Sequence, residues 1–179
     1  MGRKEIGMRL TGKKIATLVA EGVEDLEYYV PLMRLQEEGA QVLTAARDTK
    51  AIHGKNGLTI MPDTTLESLE AASLTALILP GGWAPDKLRR YKEVTGLVQA
   101  MHQAKKPIAI ICHGGLVAIS AGIVKGRRAT GSLGIKDDLV NAGATWVDEP
   151  AFRDENLVWG RVVADIPDFC RELVSLLLV

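Results

Sequence analysis

Two rhythms of apolar residues alternate along this chain. Lys14 to Ala20 (KIATLVA), Gln41 to Ala46, Ala76-Leu77-Ile78-Leu79 and Ile108-Ala109-Ile110-Ile111 are short runs of small and β-branched residues with little polar alternation. Such runs read as strands buried on both faces, the pattern of an inner parallel sheet. Between them, apolar positions recur at helical spacing: Leu26, Val30 and Met33; then Leu97, Val98 and Met101; and finally the stripe Ile166, Phe169, Cys170, Leu173 and Leu177. That spacing predicts helices over 24–39, 86–104 and 166–178, the first stopped by Gly39. Pro31 falls inside the first, which predicts either a kink near Glu27 or a helix that starts at Pro31.

The remaining stretches continue the alternation. Residues 48–63 carry Gly54, Gly57 and Pro62 between short extended pieces, which reads as a small β-hairpin insertion. Thr65 to Glu70 reads as a helical turn, Lys136 to Asn141 as a short helix ended by Gly143, and Thr145 to Val147 and Leu157 to Val163 as strands. Repeated strand and helix imply an α/β fold, a mostly parallel central sheet with helices on both faces. At 179 residues the chain suffices for one substantial core and is short for two, so 13–179 reads as a single domain and 1–12 as a flexible extension.

Charge and cysteine content narrow the function. Lys+Arg and Asp+Glu both number 22, which leaves no net basic field to draw in nucleic acid or an anionic membrane. Two cysteines outside any CxxC spacing form neither a disulfide framework nor a zinc site, and point to a reducing cytoplasm. The apolar run from Leu173 to Val179 is broken by Ser175 and falls far below the ~18 residues of a membrane span. The first dozen residues lack the apolar centre of a secretory signal. No phosphate-cradling glycine pattern and no metal-ligand spacing calls for a cofactor.

The chemistry concentrates at Cys112-His113-Gly114-Gly115, where a buried strand turns abruptly into a helix. Strand ends and helix starts converge on the edge of an open sheet where ligands bind. A thiol in the first turn of a helix is expected to ionise more easily, from a pKa of ~8.5 down to roughly 3.5–7.5. A sharp strand-to-helix turn lifts a nucleophile above the sheet, and the His113 N–H, with Gly82 of the neighbouring Pro80-Gly81-Gly82 loop, would bind an oxyanion. Glu24, after the first strand, reads either as a helix-start acid or as a partner of the Cys112 sulfur. Cys170 lies on an apolar helix stripe and reads as core; His53 and His102 read as solvated histidines.

Several spaced motifs carry a resemblance. Glu24-Asp25, Leu79-Pro80-Gly81-Gly82, Ala84-Pro85-Asp86, Lys106-Pro107, Ile111-Cys112-His113-Gly114, Ser120-Ala121-Gly122 and Ile135-Lys136-Asp137-Asp138 stand in the order of the PfpI-type intracellular cysteine peptidases of the Parkinson-disease protein deglycase superfamily. The chain resembles that family from Lys13 to Val179. The resemblance implies a flavodoxin-like three-layer sandwich with Cys112 as nucleophile, His113 beside it, Glu24 on the thiol and Gly82 and His113 as oxyanion donors. It also implies an acid at Asp86 supplied to the histidine by a neighbouring subunit, within a dimer or hexamer. Gly115 stands where the family commonly has Pro, and Asp86 where the peptidases have Glu. Trp83 and Gly114 would line the substrate pocket.

Two classes of function follow. In the first, a hydrolase uses the Cys112 thiolate against a carbonyl carbon, of a peptide, a glycated protein, or a small carbonyl compound such as methylglyoxal in deglycase or glyoxalase chemistry. In the second, Cys112 is the oxidisable thiol of a stress sensor or holdase, its sulfinic acid held by Glu24.

Overall fold

The computed structural model describes residues 8–179. β1 (Lys14–Leu18) leads through a short loop to α1 (Asp25–Glu37) and β2 (Gln41–Ala46). The insertion forms the antiparallel hairpin of β3 (Ile52–His53) and β4 (Thr59–Ile60), followed by a two-residue strand, β5 (Thr64–Thr65). β6 (Ala76–Leu79) precedes two helices, α2 (Ala84–Leu88) and α3 (Lys92–Gln103), and β7 (Ile108–Ile111) passes through one 3₁₀ turn, Cys112–Gly114, into α4 (Gly115–Ser120). The last third contains β8 (Arg128–Ala129), α5 (Lys136–Asn141), β9 (Thr145–Trp146), β10 (Ala151–Asp154), β11 (Leu157–Gly160) and α6 (Ile166–Leu177).

Seven strands form one sheet in the order β10-β11-β7-β6-β1-β2-β5. All its pairings are parallel except that of β10 with β11. The central strands are buried on both faces because successive side chains alternate between two cores. Ile108 and Ile110 join Leu77, Leu79 and Trp159 in one core, with residues of α3 and α4. Ala109 and Ile111 join Ile78, Val158 and the apolar stripe of α6 in the other. Helices therefore cover both faces of a mostly parallel sheet, the flavodoxin-like arrangement.

Four local expectations are corrected. α1 runs unbroken through Pro31, because capping by Glu24 and burial of Tyr28 and Leu35 hold it on both sides of the missing N–H. Helix 86–104 is two helices, split where Tyr91 is extended (ψ 124°) and its ring lies 4.8 Å from the Arg47 guanidinium. Strand β10 went unforeseen: its hairpin turns on Glu155, at φ 52°, without a glycine. The extension is docked from its eighth residue. Leu10 is fully buried, its N–H donates to the Glu38 carbonyl (2.7 Å), and Arg9 pairs with the Glu38 carboxylate. The part of the expected extension at 1–7 lies outside the described residues.

Candidate active site

β7, β6 and β1 are neighbours in the sheet, so the loops leaving their carboxyl ends meet. The chain turns sharply after β7. Ile111 is extended (φ −130°, ψ 144°), Cys112 is left-handed at φ 57°, and Gly114 is already helical. That conformation costs an L-residue roughly 1–2 kcal/mol, so the surrounding structure must impose it. The turn brings the two adjacent side chains together, with Cys112 Sγ 3.3 Å from His113 Nδ1. Gly114 is what lets it pack: a Cβ there would lie 2.1 Å from the Leu79 carbonyl oxygen at the end of β6. Gly114 is buried against that strand end and does not line the cleft above Cys112, which corrects its expected place in the pocket.

The second loop is fixed as tightly. Gly82 has φ 77°, and a Cβ on it would lie 2.4 Å from the Glu24 nitrogen. The Trp83 N–H donates to the Gly22 carbonyl (2.8 Å), which bridges this loop to the end of β1. The backbone N–H groups of Gly82 and His113 lie near enough to the Cys112 sulfur to favour its ionised form.

A carboxyl sits beside the sulfur, and it belongs to Glu27. Glu27 is fully buried in the first turn of α1; its Oε2 accepts the Gly81 N–H (2.7 Å), its Oε1 has no hydrogen-bond partner among the described residues, and its carboxyl lies beside the Cys112 thiol. Glu24, expected there, is otherwise engaged. Its Oε2 accepts the Glu27 N–H (2.9 Å) as the cap of α1, and its Oε1 accepts from Asn56 Nδ2 (3.0 Å). Glu24 still lines the cleft. The two acids stand one helical turn apart, and only the packing of the Gly81 loop decides which of them the sulfur meets.

Burial raises the Glu27 carboxyl to about 7. The Cys112 thiol is pushed up as well, to about 12, first by burial and then by the charge and hydrogen bond of Glu27, while the N–H groups of His113 and Gly82 pull it down. The expected lowering by the helix is thus overturned. α4 has six residues, and its few amide dipoles lose to desolvation and an adjacent carboxylate. His113 is held below its usual range by burial and by Lys55, so its ring is neutral at pH 7 and one nitrogen is an acceptor.

The cleft over these groups has a volume of about 300 Å³. Trp83, 62% exposed, forms one of its walls, and Lys55, Ser132, Val162 and Val163 complete it, none of them singled out by the sequence. Asp86 is outside the cleft, exposed on α2 and paired with Arg90. His113 Nε2 has no hydrogen-bond partner among the described residues. A larger cavity, about 620 Å³, lies between α1 and α6; it contains Cys170, whose thiol burial pushes up to about 11, with no histidine near it. Among the described residues no three His, Cys, Asp or Glu side chains gather as a metal site, and no helix is long and apolar enough to cross a membrane.

Comparison with known proteins bears on the family and the fold. The sequence model of the DJ-1/PfpI family matches residues 13–176. A deglycase of Pyrococcus horikoshii is 41% identical over 164 residues, covering 92% of this chain and 99% of its own. General stress protein 18 of Bacillus subtilis is 36% identical over 169 residues, covering 93% of this chain and 98% of its own. Among solved structures, a two-domain protein of Anabaena variabilis with DJ-1/ThiJ/PfpI-like and ferritin-like domains superposes with a TM-score of 0.89 at 34% identity; the match covers 91% of this chain and 47% of that one.

Proposed function

This chain belongs to the DJ-1/PfpI family, and on that footing we propose that it is a cysteine-dependent hydrolase of the deglycase type, acting on carbonyl carbon through Cys112. The observation that carries the reading is the strained Cys112 at φ 57°, its sulfur 3.3 Å from a neutral histidine and in contact with a carboxyl that titrates near neutrality.

The thiol and the Glu27 carboxyl act as one proton-sharing pair. When the thiol proton passes to Glu27, the negative charge that opposed ionisation disappears and the new carboxyl O–H donates to the thiolate. The sulfur then bonds to the carbonyl carbon, and the carbonyl π pair moves onto oxygen, facing the N–H groups of His113 and Gly82. With an amide, collapse expels the amine, which takes the proton from Glu27; a carbinolamine first expels its amine as its O–H becomes a carbonyl, and the sulfur adds to the aldehyde so formed. Water, deprotonated by His113, cleaves the thioester and restores the thiol. Small dicarbonyls such as methylglyoxal add the sulfur at the aldehyde carbon; the proton on that carbon then moves to the neighbouring carbonyl carbon and the hydroxyl proton to its oxygen, which leaves a thioester that water cleaves in the same way.

Cys112→Ser tests this. Loss of methylglyoxal consumption and of amine release from glycated peptide, with fold retained by circular dichroism, supports the mechanism; activity that survives rejects it. The acid facing His113 Nε2 is Asp86 of a second copy in this reading, since Asp86 is exposed and outside its own cleft. Asp86→Asn then lowers turnover without slowing Cys112 alkylation, and an unchanged turnover removes Asp86 from the mechanism. The second reading, a peroxide-oxidised Cys112 in a stress sensor, draws on the half-buried thiol beside a protonatable carboxyl and on the general stress protein among the relatives. It predicts sulfinic acid at Cys112 by mass spectrometry after mild peroxide.

A further inference from the structure

The insertion hairpin hangs over the active-site cleft, and the acids at the start of α1 hold it there. Asp25, 2% exposed, accepts the N–H groups of Asn56 (2.7 Å) and Leu58 (2.9 Å), one on each carboxylate oxygen. Gly54 packs so closely on that carboxylate that a Cβ would lie 2.2 Å from it, and the Lys55 N–H donates to the Val23 carbonyl (2.7 Å). Four anchors on three consecutive residues and Leu58 fix the backbone from which the Lys55 side chain reaches into the cleft beside Cys112 and His113.

Two lysines of the described residues donate to backbone carbonyls. Lys106 Nζ donates to the carbonyls of Ala71 and Leu74, and Lys87 Nζ to that of Glu21. Lys55 makes no ion pair among the described residues. Among the described residues it is the only Lys or Arg in the cleft wall. Burying it with a ligand requires an anion, because an ammonium taken from water without a partner is costly.

The cleft also contains Glu24, whose charge opposes an anion, but both of its carboxylate oxygens already accept hydrogen bonds, from the Glu27 N–H and Asn56 Nδ2. The Glu27 carboxyl, at the sulfur, feels Glu24 more than Lys55. The Lys55 ammonium, with burial, lowers the proton affinity of His113.

We propose that Lys55 is a specificity-determining residue that binds a carboxylate on the substrate, so that the cleft selects small carbonyl compounds of the 2-oxo acid class over uncharged ones. The inference deepens the reading of Cys112 as a nucleophile and rests on it. The ammonium meets the carboxylate while the adjacent carbonyl carbon lies over the sulfur, and Trp83 covers the remainder.

Two alkylating reagents of equal size and different charge test it without a substrate. Iodoacetate is anionic and iodoacetamide neutral; in both, the Cys112 sulfur bonds to the CH₂ carbon, iodide leaves, and the thiol proton goes to buffer. A change in thiolate content alters both rates alike, so their ratio reports recognition of the carboxylate alone. The ratio at Cys112 should exceed that of a small free thiol, and in Lys55→Met it should fall roughly three- to tenfold at low ionic strength, the range for one ion pair near a protein surface. Lys55→Arg should keep the ratio, and so should Lys50→Met on the same insertion. A ratio unchanged in Lys55→Met overturns the inference while leaving Cys112 as a nucleophile. If the wild type accepts neither reagent at Cys112, the nucleophile itself is refuted and the inference falls with it.

Discussion

Replacing Glu27 by Gln should make the protein more stable, and by an amount that depends on pH. The amide keeps an oxygen for the Gly81 N–H and fills the same volume, but it cannot ionise. In the wild type the folded chain retains the Glu27 proton up to about 7, whereas the unfolded chain releases it near 4.5. The stabilisation of the protonated form is thus complete below about 4.5 and is lost as pH rises through about 7. The gap between those two values is worth about 3 kcal/mol, and with Glu27 fully buried there is no water to screen it. Glu27→Gln should match the wild type at about pH 4 and exceed it by about that much at about pH 8, roughly 6–12 °C in Tm for a chain of this size. Parallel thermal and urea melts at the two pH values measure it. The same variant lacks the charge that opposes thiolate formation, so Cys112 should alkylate faster at pH 9, while turnover falls for want of a proton acceptor. Equal pH dependence in the two proteins would refute the placement of a buried carboxyl on the thiol.

Three further outcomes are expected. Gly114→Ala drives a Cβ into the immobile Leu79 carbonyl, 2.1 Å away, and should lower both Tm and the rate of Cys112 alkylation. Leu10→Ala should cost about 2–4 kcal/mol in urea unfolding, as for other buried leucines, if residues 8–12 are docked; a surface tail would show almost none. The Arg9 and Arg34 guanidiniums hold the Glu38 carboxylate down to about 2, so their contribution to stability is present above about 4.5 and is lost as pH falls through about 2. Glu38→Gln should flatten the acid side of the Tm profile.

The hydrophobic pattern of this chain was enough to place the inner strands, the hairpin insertion, the outer helices and the reactive turn. Each depends on local rules: a run buried on both faces needs no partner to be recognised, and a strand that meets His-Gly-Gly cannot continue. Glycine at 114 and 82 and the motifs around them also pointed to the family before any coordinates. Edges were less legible. β10 turns on a glutamate, and the break before α3 comes at a tyrosine that leaves the helix for a cation; neither position carries a breaker.

Tertiary structure alone decided the electrostatics of the nucleophile. The sequence pointed to Glu24 as the partner of the sulfur and passed over Glu27, one turn on; contact with the Gly81 N–H, fifty-four positions along the chain, gives the place to Glu27. Likewise a cysteine at a helix start suggests a lowered pKa, whereas burial and a neighbouring acid raise it. Spacing along a chain fixes which way a backbone turns, because that cost is local; charge and desolvation depend on what long-range packing brings within a few ångströms.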